Sequence, residues 1–307
     1  MGELALTEDE EIKTLGLEKY AEELERDGLT IVPPEVTGFG VDRIDEIVEL
    51  VRARAREMTG CTFTLDGGPQ QELEFPKQEL TPKQLERGLD ADELNRRRTQ
   101  FLIQKLTQQH RLFRDLALNP ASLALQNFMM AGQTRLSSVN CFVKWKGFFG
   151  VQALHVDQGG VTPPWGAVAY TGNSTWCLTD YTLEGGALAW VPGSHREGKR
   201  AVPPERVKDA IPAEAPKGSL IVFHGATWHG AFPRKEEGLR LGLTVYHRHA
   251  IILPQEDLAG QTTEEMVQDC ENPEVYRVIA GLTDRFPYRE KQSGEIPKVK
   301  GAPVAAA

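Results

Sequence analysis

Cysteine and histidine are both scarce in this chain. Its four cysteines, Cys61, Cys141, Cys177 and Cys270, lie far apart and form no C-x-x-C pair. A disulfide framework is not expected, because 307 residues bury a sizeable core without covalent staples. Apolar runs are short, and none approaches the roughly 18 residues that span a bilayer, so no membrane partner is expected. Basic charge is in deficit, with 35 Lys plus Arg against 44 Asp plus Glu and a formal net charge of −9. Nucleic acid is excluded as an expected partner, since phosphate binding needs a basic footprint. The opening MGELALTEDEE is acidic with no apolar core, so no secretory leader is expected, and Leu6 breaks a myristoylation pattern. The expectation is a soluble, cytoplasmic protein with reduced thiols, its oligomeric state undecided. The 40% hydrophobic content excludes wholesale disorder. With only seven histidines, their placement carries information.

What is present divides into two textures. Residues 1–132 read as mainly helical. Thr7 and Glu10 fit a capping box, and Leu15, Leu17, Tyr20, Ala21 and Leu24 keep helical spacing up to Asp27-Gly28. Thr30–Val32 reads as a short strand, and Val41–Met58 as an amphipathic helix with Ile44, Ile47, Val48, Val51 and Ala55 on one face. Residues 60–95 read as a long loop or lid. Further helices are expected over Asp90–His110 and Pro120–Ala131, with a helical turn over Arg111–Leu118. Residues 133–250 change to period 2, with strands expected at 139–145, 167–170, 175–181, 187–191, 219–224 and 241–249, separated by Gly-rich turns. Such spacing without intervening helices implies an antiparallel sandwich or barrel. No flexible linker separates the textures, so residues 1–307 are expected to form a single domain, with 251–307 a C-terminal extension.

The chemistry-bearing residues fall in the β half. His155-Val156-Asp157 places an imidazole and a carboxylate on one strand face, although a core-facing histidine beside a turn aspartate fits a bare H-x-D as well. A second imidazole beside them completes a 2-His-1-carboxylate set, which suits non-haem Fe(II) and leaves three positions open. His224 and His229 compete for that place. His224 ends the apolar run Leu220–Phe223, whereas His229 stands between Trp228 and Gly230, which favours it. Arg240 opens the run Leu241–Tyr246, and its fork suits a bidentate carboxylate, or else it snorkels over a sheet edge.

Together, His-x-Asp, a distal His and an Arg eleven residues later resemble the Fe(II)/2-oxoglutarate-dependent dioxygenases, and more specifically the phytanoyl-CoA dioxygenase family. The likeness extends to Glu184–His195, similar to the family's "nGaL-vvPGSH" strand and turn. Lys217–Phe223 is similar to its "GDlllF" strand leading into Trp228-His229-Gly230, and Tyr20–Val32 resembles its "y-rdGyvvl" opening. The match covers roughly residues 15 to 250.

The resemblance implies a double-stranded β-helix, the jelly-roll or cupin-like fold, mainly β with α, carrying N-terminal supporting helices. It implies His155, Asp157 and His229 as iron ligands and Arg240 as partner of the distal carboxylate of 2-oxoglutarate. Trp176 is placed by it near the cosubstrate, and Asn140 is a further candidate to hydrogen-bond 2-oxoglutarate. His195 is then no ligand and His224 is structural. Fe(II), 2-oxoglutarate and O2 are the expected cofactor and cosubstrates. The expected reaction couples 2-oxoglutarate decarboxylation, to succinate and CO2, to C–H oxidation of a small organic substrate, with hydroxylation in specialised metabolism the leading reading. Asp157 speaks against halogenation, because related halogenases lack that carboxylate. Trp145, Phe148, Phe149, Trp165 and Tyr170 either line an apolar pocket or fill the core. Arg96–Arg98 suits a phosphate or a solvated helix face, and Lys144 could pair with a substrate carboxylate. Two rival classes remain: a zinc hydrolase using the same ligands, and a non-catalytic binding jelly roll.

Overall fold

Tyr20, Ala21 and Leu24, with Leu17 just before the first turn, form the buried face of the second of two opening helices, α1 (Glu8–Thr14) and α2 (Glu18–Asp27). The structure is a computed structural model that describes residues 8–76, 98–147, 154–200 and 202–284. Thr7, and with it the expected capping box, lies outside them. The expected apolar stripe starts two residues late. Gly16 turns the chain between α1 and α2 at φ 65°, which leaves Leu15 exposed. Gly28 ends α2 at φ 83°, its N–H donating to the Leu24 carbonyl. A Cβ there would sit 2.4 Å from His195 Nδ1, so both the left-handed backbone and the close approach need glycine. After α3 (Pro34–Thr37) comes α4 (Val41–Thr59), which buries Ile44, Ile47, Val48, Val51 and Ala55 as its periodicity predicts. Two further helices, α5 (Arg111–Ala117) and α6 (Pro120–Met129), precede the long strands.

The strands among the described residues are β1 (Leu29–Val32), the short hairpin β2 (Phe63–Thr64) and β3 (Gly68–Pro69), β4 (Gln100–Ile103), β5 (Thr134–Trp145), β6 (Thr171–Cys177), β7 (Leu188–Trp190), β8 (Ile211–Ala213), β9 (Leu220–His224), β10 (His229–Ala231) and β11 (Leu239–His249). Two antiparallel sheets result, ordered β1-β9-β6-β11-β5-β4 and β10-β7-β8. This is the expected jelly roll.

Alternation along the larger sheet sorts its residues. Val139, Cys141, Leu241, Leu243, Val245, Trp176 and Leu220 pack outward in one apolar cluster with Leu17, Ile47 and Val51 of the helices. On the inner face, Leu29, Cys177, Ile221 and Phe223 meet Leu188 and Trp190 of the smaller sheet, with Tyr181 between them. The rest of the inner face is mainly polar, with Leu102 and Phe142 among its apolar residues.

Three expectations are corrected. The helix expected over Asp90–His110 is, in its described part, strand β4 followed by a 3-10 turn at Leu106–Gln108. Gln100–Ile103 extends the sheet beside Cys141–Lys144, and ladder bonding outweighs local helical propensity there. Residues 167–170 form no strand, and the strand expected at 175–181 starts four residues earlier, because Thr171–Cys177 pairs with both β9 and β11. Of the 60–95 loop, residues 63–69 form the β2–β3 hairpin and 77–95 lie outside the described residues. No helix among the described residues is long and apolar enough to cross a membrane.

Two histidines are buried on the outer, helix-facing side. Burial pushes His247 down to about 3, and neither ring nitrogen has a partner among the described residues. Burial, and then the charge of His195, pushes His224 down to about 4. Both fold as neutral rings, while in the unfolded chain they take up protons near pH 6.5. Stability is therefore complete above about pH 6.5 and falls as pH drops toward the folded values, by about 2 kcal/mol per histidine at pH 5. Urea unfolding at pH 7 and pH 5 should show this loss, and His247→Leu should shrink it by about one histidine's share. An undiminished loss in that variant counts against the assignment.

Candidate metal centre and its cavity

The centre is built on one antiparallel bridge. The His155 N–H donates to the His229 carbonyl at 2.9 Å, and the His229 N–H donates back to the His155 carbonyl at 3.0 Å. Residues paired in this way project their side chains to the same face. The two imidazole centroids accordingly lie 4.3 Å apart. Asp157, two residues on, reaches the same side: its Oδ1 lies 3.6 Å from His155 Nε2 and its Oδ2 3.5 Å from His229 Nε2. One donor atom from each residue falls within 4.8 Å of the others.

Each side chain is oriented by neighbours. The His229 Nδ1 lies 2.9 Å from the Thr227 carbonyl, which only accepts, so Nδ1 carries the proton and Nε2 presents its lone pair toward Asp157. The Asn173 amide donates to Asp157 Oδ2, the Tyr246 hydroxyl donates to the Asp157 carbonyl at 3.2 Å, and the Asp157 N–H donates to the Gly225 carbonyl at 2.8 Å. Gly225 is required there, since a Cβ would lie 2.5 Å from the Thr171 carbonyl oxygen. The Trp228 N–H is held by Ser194 Oγ at 2.8 Å, which fixes the backbone just before His229. His229 is buried and His155 is half exposed, so the centre opens to solvent on the His155 side.

This donor set fits a divalent transition metal. Two imidazoles and a carboxylate on one side of a point, with an imidazole fixed by a backbone carbonyl, are what a facial 2-His-1-carboxylate site needs. The centre lies at the edge of a cavity of about 220 Å3 whose lining also includes Asn140, Asn173, Thr175, Tyr181, Arg240, Thr244 and Tyr246. Arg240 is buried, with its guanidinium 4.8 Å above the Tyr181 ring. Its Nε has no hydrogen-bond partner, and no carboxylate pairs with it among the described residues. A buried guanidinium left in this way suits an incoming anion.

His155, Asp157, His229, Arg240 and Asn140 are thus brought to one cavity. Trp176 is not among them. It stands between inward-facing Thr175 and Cys177 and so points outward, fully buried, 5.3 Å from the Phe39 ring. His224 also faces outward, 5.5 Å from His195, and accepts from the Ala226 N–H. Trp145 packs against Phe63, Phe75 and Phe101 rather than the cavity, and neither Trp165 nor Tyr170 lines it. Phe148, Phe149, Arg96 and Arg97 lie outside the described residues, and Arg98 stacks on Phe75. Sequence reasoning missed Asn173, Thr175, Thr244 and Tyr246. Counting every second residue from Arg240 finds Thr244 and Tyr246. Gln100 and Gln255 also line the cavity, and no local signal marks them.

A family model described as phytanoyl-CoA dioxygenase (PhyH) matches residues 24–242. Dioxygenase af480 of Aspergillus fumigatus is 30% identical over 172 residues, which are 55% of this chain and 54% of that protein. The match thus spans about half the length of that relative. Among solved structures, the non-heme alpha-ketoglutarate-dependent epimerase SnoN from nogalamycin biosynthesis superposes with a TM-score of 0.53 at 19% identity, covering 79% of this chain and 87% of that one. HygX from Streptomyces hygroscopicus, with nickel and 2-oxoglutarate bound, gives 0.54 at 16% identity, covering 77% and 88%. At these identities the structural likeness establishes the fold.

Gly242 lies between Arg240 and Thr244 on the inner face, where a Cβ would meet the Tyr181 hydroxyl oxygen at 1.9 Å and its Cζ at 3.2 Å. Gly242→Ala is expected to cost about 1–3 kcal/mol by overpacking, read from urea unfolding. Adding Tyr181→Phe removes the nearest atom and should recover much of that loss. Strict additivity of the two changes contradicts the contact.

Proposed function

The chain belongs to the phytanoyl-CoA dioxygenase family, and from this we propose that it is an Fe(II)/2-oxoglutarate-dependent oxygenase that hydroxylates a small organic molecule in specialised metabolism. The observation that carries the reading is the convergence, in one cavity, of three metal-donor atoms within 4.8 Å and a buried guanidinium without an anion. A metal-dependent hydrolase has no evident use for that guanidinium, whereas a five-carbon keto diacid does. SnoN and HygX, which share the fold, carry names from small-molecule biosynthesis and a bound 2-oxoglutarate respectively.

In this reading His155, Asp157 and His229 hold the iron, and Arg240 receives the distal carboxylate of 2-oxoglutarate. Iron held there would supply the redox chemistry that couples decarboxylation of 2-oxoglutarate to succinate and CO2, with O2, to oxidation of a substrate C–H. The protein's share is orientation. The Thr227 carbonyl keeps the proton on the far nitrogen of His229, and Asn173 stops the Asp157 carboxylate from turning. The cavity-lining amides and hydroxyls of Asn140, Gln100, Gln255, Thr175 and Thr244 offer the substrate uncharged hydrogen-bonding partners.

Anaerobic addition of Fe(II) and 2-oxoglutarate should produce a weak visible metal-to-ligand charge-transfer band, absent in His155→Ala. A protein that gives no band, or an equal band in that variant, sinks the proposal. Asn173→Ala should weaken Mn(II) binding, followed by electron paramagnetic resonance, by about 10–100-fold while leaving the fold intact. Unchanged Mn(II) affinity removes Asn173 from the support of the site.

A further inference from the structure

Lys144 stands opposite Arg240 in the register of β5 and β11, on the same inner face as Asn140 and Phe142. On its other side it stands opposite Gln100, another lining residue. Like charges placed directly across a strand pair repel, and here both heads are buried, each residue only 5% exposed. A third cation, Arg234, lies in the same corner, but it donates to the carbonyls of Gly185, Glu237 and Gly238 and is thereby accounted for. Among the described residues Lys144 donates one hydrogen bond, to the Phe232 carbonyl at 2.5 Å. An ammonium has three donors, so two are left over. Among the described residues no carboxylate pairs with Lys144 or Arg240.

We propose that Lys144 is a second cationic anchor for the distal carboxylate of 2-oxoglutarate, sharing it with Arg240. The inference rests on the cosubstrate reading above and deepens it. Two buried like charges facing each other are costly until an anion lies between them, and a carboxylate has two oxygens to offer two donors. Lys144 itself is not among the residues lining the cavity, but its ammonium is tied to Phe232, which directly follows the lining residue Ala231. A merely structural lysine, tying β5 to the segment after β10, would satisfy the carbonyl contact but leave the facing pair of charges without purpose.

The placement has a consequence for pH. Burial first, and then the charges of Arg240 and Arg234, pushes the Lys144 ammonium down to about 7. Opposite it on β4 stands Gln100, which is uncharged, and the Tyr181 ring lies against Arg240, its phenol kept neutral by burial, which raises it well above its usual range. An arriving carboxylate favours the charged amine and raises it again. Binding of 2-oxoglutarate should therefore be strongest below about pH 7 and weaken as pH rises through that value, with proton uptake near neutrality.

The test uses calorimetry on the anaerobic Fe(II)-loaded protein, comparing 2-oxoglutarate with 2-oxobutyrate, which keeps the keto-acid head but lacks the distal carboxylate. In the unaltered protein, the Kd for 2-oxoglutarate should rise about tenfold between about pH 6 and pH 8.5, while that for 2-oxobutyrate changes little beyond any dependence both share. Lys144→Met should weaken 2-oxoglutarate about tenfold, flatten this extra dependence and leave 2-oxobutyrate within about twofold. Lys144→Arg should keep the affinity and lose the dependence. Parallel pH profiles for the two keto acids in the unaltered protein overturn the proposal without any variant, and so does equal weakening of both ligands in Lys144→Met. Failure of the unaltered protein to bind either keto acid overturns the cosubstrate reading itself, and with it the role of Lys144.

Discussion

Everything at the centre depends on the reciprocal backbone pairing of His155 with His229. Two hydrogen bonds, at 2.9 and 3.0 Å, place two imidazoles on one face without any side chain having to search for the other. Asp157 then needs only the two-residue period of an extended chain to join them. The grouping of these three side chains is therefore a property of the ladder. Side-chain contacts such as Thr227 to His229 and Asn173 to Asp157 refine a geometry that the backbone has already imposed.

That bridge must itself be held, and the hold comes from far away in sequence. The turn at Gly193–His195 lies against the end of α2: the Gly193 N–H donates to the Asp27 carbonyl at 2.7 Å, and Arg196 reaches the Glu25 carbonyl. The Gly28 carbonyl accepts from both the His224 N–H and the Thr227 hydroxyl. Ser194 bonds the Trp228 N–H. Three motifs that read as separate signatures are thus one contact, in which the N-terminal helix, the Pro-Gly-Ser-His turn and the Trp-His-Gly segment brace the strand carrying His229. Their joint presence signalled more than H-x-D alone because each supplies a partner the others need.

Legibility followed the range of the forces involved. Helix α4 and the buried face of α2 were readable because amphipathic periodicity is local, and β5, β9 and β11 were readable for the same reason at period 2. Strand β4 was not, since Gln100–Ile103 is extended only by virtue of its neighbour β5. His229 was separable from His224 by its local setting, and the ladder explains why: five residues apart, they belong to different sheets and opposite faces. Trp176 illustrates the reverse failure. Its position in a motif suggested the cavity, but strand parity sends it outward to Phe39, and parity outranks motif proximity whenever the two disagree.

The inner face of the larger sheet also shows how one scaffold separates stability from chemistry. Toward the β1–β9 side, Leu29, Ile221 and Phe223, with Cys177 of β6, close against Leu188 and Trp190 of the smaller sheet. Toward β5, Asn140, Asn173, Thr175, Arg240 and Thr244 occupy inward positions on β5, β6 and β11 and line a cavity. A polar inner face is tolerable only because the outer face of those strands buries a large apolar cluster against the helices, which supplies the cohesion the cavity cannot. The supporting helices are therefore what allow the sheet to leave a charged, under-satisfied corner at Arg240 and Lys144. A smaller sandwich without that outer layer would have to fill the corner with hydrocarbon and would lose its buried cations.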